Sequence, residues 1–139
     1  MGVVIDSGIF IAKQRGGFDW EGWTASLGDE ELLVTAITLS ELLHGAHRAP
    51  AGELREKRLR FATMVERDYV ILPFGVREAK NHASLTAEMT QKGTSAGALD
   101  MLIGAIARCY GHSVATLNFD EFQRMPGLTV LNATRFRKV

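Results

Sequence analysis

A chain of 139 residues that is 46% apolar can bury one real core and is short for two ordinary domains, so one domain over residues 1–139 is expected. Its 16 lysines and arginines balance 16 aspartates and glutamates, which excludes a global field drawing it to nucleic acid; any such binding needs a local patch. A single cysteine, Cys109, excludes a disulfide scaffold, and its apolar surroundings from Ile103 to Tyr110 predict a buried free thiol.

The chain opens without a basic, long apolar leader, and Asp100 breaks the longest apolar stretch well short of a membrane span. A cytoplasmic protein with no membrane contact is expected.

Val3 to Ile5 is short, β-branched and wholly apolar, which predicts a strand buried on both faces of a parallel sheet. Asp6-Ser7-Gly8 offers capping groups to a first helix that Gly16-Gly17 ends. A second helix carries Trp20, Trp23 and Leu27 and stops at Gly28. Leu32 to Thr35 reads as the second strand, and Thr38 begins a helix that frays before Pro50. Glu53 to Arg67 is a charged helix with a mixed amphipathic face. Tyr69 to Leu72 is the third strand, Val76 to Lys92 a helix, and Ser95 caps a further helix from Ala96 to Tyr110. Ser113 to Leu117, a helical turn over Asp120 to Arg124, and Leu128 to Leu131 complete the alternation.

Strands alternating with helices imply a parallel sheet with right-handed crossovers, and such sheets bind ligands outside the carboxyl ends of their strands. Asp6 ends the first strand. Glu41 and Asp100 fall in first turns of helices that must start at the same edge, where the helix dipole favours negative charge. Thr116-Leu117-Asn118 reaches that rim from the fourth strand. Carboxylates gathered in this way repel one another and hold a divalent cation.

Each acid also has a plainer explanation. Asp6 serves equally well as a helix cap, and Thr38-Leu39-Ser40-Glu41 matches a capping box. Asp100 has the weakest alternative, because an ionised carboxylate in an apolar segment costs several kcal/mol, on the order of buried-charge penalties, unless a positive partner meets it. His44 and His47 are spaced i, i+3 without a third ligand for zinc, which makes them surface or groove residues. Trp20 and Trp23 are expected in the core or on a partner-facing ridge. Arg55, Lys57, Arg58 and Arg60 interleave with Glu53 and Glu56 as a solvated helix face that could contact RNA.

Four segments together resemble the PIN-domain ribonucleases, most closely the VapC-like toxins of bacterial toxin-antitoxin pairs: Val3-Val4-Ile5-Asp6-Ser7, Thr38 to Gly45, Leu99 to Ala107, and Thr116 to Phe122 followed by Pro126-Gly127-Leu128. The resemblance spans nearly the whole chain. It implies a three-layer α/β/α fold with a central parallel sheet of four to five strands, and metal-assisted hydrolysis of RNA phosphodiester bonds by a toxin that inhibits translation. It implies Mg²⁺ or Mn²⁺ held by Asp6, Asp100 and Glu41, with Glu41 also able to orient or deprotonate the attacking water. Asn118 and Glu121 would complete the catalytic set, and Ser7 would hold a ligand carboxylate. Asn118 departs from the pattern, since many relatives carry an aspartate there. The implied partners are a cognate VapB-type antitoxin, an RNA substrate (tRNA, rRNA or mRNA) and a second copy in a homodimer.

Two other classes compete. A phosphoaspartyl phosphatase needs a second aspartate two residues after Asp6, and Gly8 occupies that position. A non-catalytic RNA- or protein-binding PIN-like module is the remaining alternative.

Overall fold

The computed structural model describes residues 2–138. Its strands are β1 (Gly2–Ile5), β2 (Glu31–Thr35), β3 (Val70–Leu72), β4 (Ser113–Thr116) and β5 (Val130–Asn132). They form one five-stranded sheet in the order β3-β2-β1-β4-β5, parallel at every pairing. The helices are α1 (Ser7–Gln14), α2 (Trp20–Leu27), α3 (Ala36–Arg48), α4 (Glu53–Asp68), α5 (Val76–Gln91), α6 (Ala98–Cys109) and the short α7 (Phe119–Phe122). A 3₁₀ turn over Thr134–Phe136, which nothing in the sequence pattern signalled, closes the described chain.

The alternation of strand side chains divides the core into two layers. Val3 and Ile5 of β1, Val34 of β2 and Ala115 of β4 pack with Phe10, Trp23, Leu42, Ala62 and Val65 from α1 to α4. Val4, Leu33 and Val114, pointing the other way, pack with Leu85, Met89, Ile103, Ala105 and Phe122 from α5 to α7. This is the expected three-layer α/β/α arrangement. Phe10 anchors the first layer, meeting Trp20, Phe61 and Tyr69 with ring centroids 5.7–5.9 Å apart. Trp23 is buried and Trp20 packs on the same cluster, so the two tryptophans belong to the core.

Several boundaries move, each for a local reason. Helix α3 starts at Ala36 because the Thr35 hydroxyl accepts from the Thr38 N–H at 3.1 Å and caps it. Glu41 therefore lies in the second turn, and the Thr38–Glu41 capping box does not form. Helix α6 starts at Ala98 after Gly97, without Ser95 as its cap. Arg55 is not a solvated side chain: its Nε and Nη2 donate to the Ala49 carbonyl at 3.0 and 2.8 Å, satisfying the end of α3. Arg58 Nη1 likewise donates to the Gly45 carbonyl at 3.2 Å. Cys109 is half-buried rather than buried. Among the described residues, no helix is long and apolar enough to cross a membrane.

Candidate active site

Strand order reverses beside β1: the chain moves outward through β2 and β3 on one side, then returns to β4 and β5 on the other. The crevice between the carboxyl ends of β1 and β4 is thus the switch point at which open α/β sheets bind ligands. Asp6 occupies it.

Asp6 follows Ile5 directly, and its backbone N–H extends the β1–β4 ladder by donating to Ala115 at 3.0 Å. Its carboxylate is almost fully buried. Oδ1 accepts from the Ser7 N–H at 2.9 Å and Oδ2 from the Thr116 hydroxyl at 2.7 Å, so Asp6 both caps α1 and faces the crevice. Burial raises its pKa, while the bonds from Thr116 and Ser7 pull it down.

Glu41 approaches from α3. Burial raises its pKa, the charge of Asp6 adds to the rise, and the nearby Ser7 hydroxyl offsets part of it. Its Oε1 is buried with no hydrogen-bond partner among the described residues. Native structures seldom leave such an atom unsatisfied, because the lost hydration costs about 1–3 kcal/mol or more for a charged group.

Asp100 enters from the first turn of α6. Burial first, then a hydrogen bond shared with Glu121, then the charges of Asp6 and Glu121 push it up to about 7. The shared proton lowers Glu121 correspondingly, so the two carboxyls titrate as a pair. Asn118 Nδ2 donates to both, at 3.0 Å to Asp100 Oδ2 and 3.0 Å to Glu121 Oε2. The Gly97 N–H also reaches Glu121 Oε2, at 3.4 Å.

All five residues singled out from the sequence converge on this rim. Thr116 is the participant that sequence reasoning placed at the rim without giving it a role. It is fully buried, and its hydroxyl donates to Asp6 while accepting the Asn118 N–H at 2.8 Å. The signal was present: a polar residue closes the buried β4 run beside the position where Asp6 closes β1.

The donor set suits a hard divalent cation. It consists of oxygens only, one of them buried and unpartnered, on carboxyls whose ionised forms oppose each other. Among the described residues, no three His, Cys, Asp or Glu side chains are gathered closely enough to ligate one ion directly.

The PIN-domain profile matches residues 3–128. The chain belongs to the PIN-domain family. This PIN domain is 35% identical over 134 residues to ribonuclease VapC1 of Rickettsia felis, covering 96% of this chain and 98% of that protein. It is 33% identical over 131 residues to ribonuclease VapC of Rickettsia bellii, covering 94% and 96%. Its fold superposes on the DNA-bound VapBC structure from Salmonella typhimurium with a TM-score of 0.83 and 25% identity, covering 95% of this chain and 98% of that one. Within this PIN domain the acids come from the end of β1, the second turn of α3 and the first turn of α6, and Asn118 bridges two carboxyls in place of adding one.

Proposed function

We propose that this PIN domain is a metal-dependent endoribonuclease, the toxin of a toxin-antitoxin pair, acting in the cytoplasm as one domain over residues 1–139. One observation carries the reading: Asp6, at the switch point of the sheet, is linked through Thr116 and Asn118 to Asp100 and Glu121, close to a Glu41 oxygen that is buried without a partner among the described residues, so that several carboxyls of like charge share one crevice. Such mutual repulsion is relieved by a cation.

When bound, Mg²⁺ or Mn²⁺ supplies an acidified water and neutralises charge developing on phosphate oxygens. Asp6 and Asp100 would hold the ion, with Asp6 fixed in orientation by Thr116 and Ser7. Glu41, with its free Oε1, orients the attacking water and takes up its proton. Asn118 and Glu121 keep Asp100 in place through the amide bridge.

The ribonuclease names of the two Rickettsia relatives support RNA as substrate. The Salmonella VapBC assembly supports a cognate VapB-type antitoxin as partner. A homodimer follows from the resemblance of the sequence motifs.

The test is cleavage of total cellular RNA by purified protein with Mg²⁺, with Mn²⁺ and with excess EDTA. Cleavage with either metal, lost in EDTA and in Asp100→Asn, supports the proposal. Intact RNA in every condition would leave only the non-catalytic module.

A further inference from the structure

Helix α6 delivers Asp100 to the rim, and the chain that leads into it, residues 94–97, has little support of its own. It runs from the turn at Gly93, where φ is 69°, to the first residue of α6. On the α5 side a hollow of about 350 Å³ opens beside Thr94, Ser95, Ala96 and Ala98, so the segment lacks packing partners there.

The opposite side is held by two side chains that follow β4. The Ser95 carbonyl accepts from Arg124 Nη1 at 3.0 Å, and the Gly97 N–H donates to Glu121 Oε2 at 3.4 Å. Among the described residues no other side chain bonds the backbone of residues 95–97. Glu121 and Arg124 are three apart in a continuous turn, since the Arg124 N–H donates to the Glu121 carbonyl at 3.3 Å, and they therefore share one side of it. The Glu121 contact is long, and the same oxygen also accepts from Asn118. Arg124 makes the firmer tie.

Arg124 is otherwise uncommitted. Its side chain is exposed and forms no ion pair within 4.0 Å among the described residues, where the pairs are Arg67–Asp68 and Arg108–Glu88. The bond with Asp100 is what chiefly lowers the Glu121 pKa, and the charge of Arg124 adds to it last. The guanidinium thus stands near the acids without entering among them.

The tethered backbone lies close against two of those acids. A Cβ placed at Gly97 would come within 3.4 Å of Glu121 Oε2 and 3.7 Å of Asp100 Oδ2. A shift of about 1 Å in this segment would carry the start of α6 with it, and misplacement of that size costs about 10²-fold in rate.

We propose that Arg124 is a positioning residue of the nuclease, tying the Ser95 carbonyl to the end of α7 and so setting where Asp100 stands against Asp6 for a shared divalent cation. The proposal rests on the metal-dependent ribonuclease reading and adds to it a residue that touches neither metal nor RNA.

The experiment measures Mn²⁺ binding to the RNA-free protein, from the electron paramagnetic resonance signal of the unbound ion, for the unmodified chain, Arg124→Ala and Arg124→Lys. The sign of the change discriminates. If Arg124 acted only through its charge, removing it would leave the crevice more negative, and Mn²⁺ would bind more tightly. A positioning role requires the reverse: Arg124→Ala should bind Mn²⁺ on the order of tenfold more weakly. Arg124→Lys, which still has a donor for the Ser95 carbonyl, should recover most of the loss. Because the side chain is exposed, Tm in EDTA should be unchanged in both variants.

Unchanged or tighter Mn²⁺ binding in Arg124→Ala would overturn the proposal. So would weaker binding of an eight-nucleotide RNA in EDTA with a salt slope reduced by about 0.7, which would make Arg124 a phosphate contact. No Mn²⁺ binding by the unmodified protein would instead end the metal-dependent reading itself, and the proposal with it. Whether the bound metal serves RNA cleavage is decided separately by the Asp100→Asn assay.

Discussion

Thr116 and Asp6, 110 residues apart in sequence, are joined by a 2.7 Å hydrogen bond at the adjacent ends of two central strands. The same threonine hydroxyl accepts the Asn118 N–H at 2.8 Å, so its one proton is committed to Asp6. That bond sets the direction in which Asp6 offers its remaining lone pairs.

Thr116→Val keeps the shape of the side chain and removes both contacts. RNA cleavage is expected to fall about 10–100-fold, the usual effect of losing a group that orients a metal ligand, with a higher Mg²⁺ concentration at half-maximal rate. A metal titration of cleavage by the variant measures both. An unchanged Mg²⁺ requirement would show that Thr116 supports only the strand ends.

Asp100→Asn should abolish cleavage, by about 10³-fold or more, because it removes a ligand that the transition state also needs. The fold should survive. Asp100 is opposed by Asp6 and Glu121, so removing its charge relieves repulsion, and the melting temperature without metal should hold or rise. Thermal unfolding in EDTA at pH 8 is the check, and a clear fall in Tm would contradict the repulsion.

The pH dependence of stability has a defined sign. Asp100 moves from 3.8 up to about 7, so the folded, metal-free protein favours its protonated form. The stabilisation is fully present below about 3.8 and is lost as pH rises through about 7. Metal-free Tm should therefore fall from pH 4 to pH 8 by a few degrees, reduced by the partial exposure of the pair. The Asp100→Asn protein should show a flatter curve.

Activity should run the other way. At limiting Mg²⁺, cleavage should increase with pH up to about 7 as the shared Asp100–Glu121 proton is released. Raising Mg²⁺ should move this limb to lower pH, because the cation competes with the proton for the same oxygens. Rate profiles at two Mg²⁺ concentrations make the comparison; superimposable limbs would remove Asp100 from the metal site.

Arg55→Ala should lower stability by about 1 kcal/mol, since it leaves the Ala49 carbonyl at the end of α3 without its charged donor. Its RNA cleavage should match the unmodified protein, because the side chain touches none of the acids at the rim. Chemical denaturation measures the loss, and an unchanged unfolding midpoint would show that the Ala49 carbonyl does not depend on Arg55.

Much of the architecture was legible in the chain because local rules and the global fold agree. The apolar runs ending at Ile5 and Thr35, the glycines at 16 and 28 and the alternation of strands with helices sufficed for a parallel α/β sheet, and the resemblance of the motifs added the three layers. Topology then carried Asp6, Glu41 and Asp100 to one edge, since α3 and α6 both begin there, whereas α5 begins beside the end of α6. The sequence was a poorer guide wherever two local explanations competed. Thr38-x-x-Glu41 has the pattern of a capping box, and only the buried Thr35 hydroxyl, positioned by strand β2, started the helix earlier and turned Glu41 toward Asp6. Arg55 and Arg58 look like solvated side chains on a charged helix, yet packing of α4 on α3 brings both to backbone carbonyls of α3 and its end. Thr116 and Asn118 became part of the site through the β1–β4 pairing, a contact between chain ends whose register no short window contains. Which residue types the chemistry needs was thus decided by the sequence, while their orientation was decided by long-range strand pairing and helix packing, because hydrogen bonds of a few ångströms depend on elements far apart in the chain.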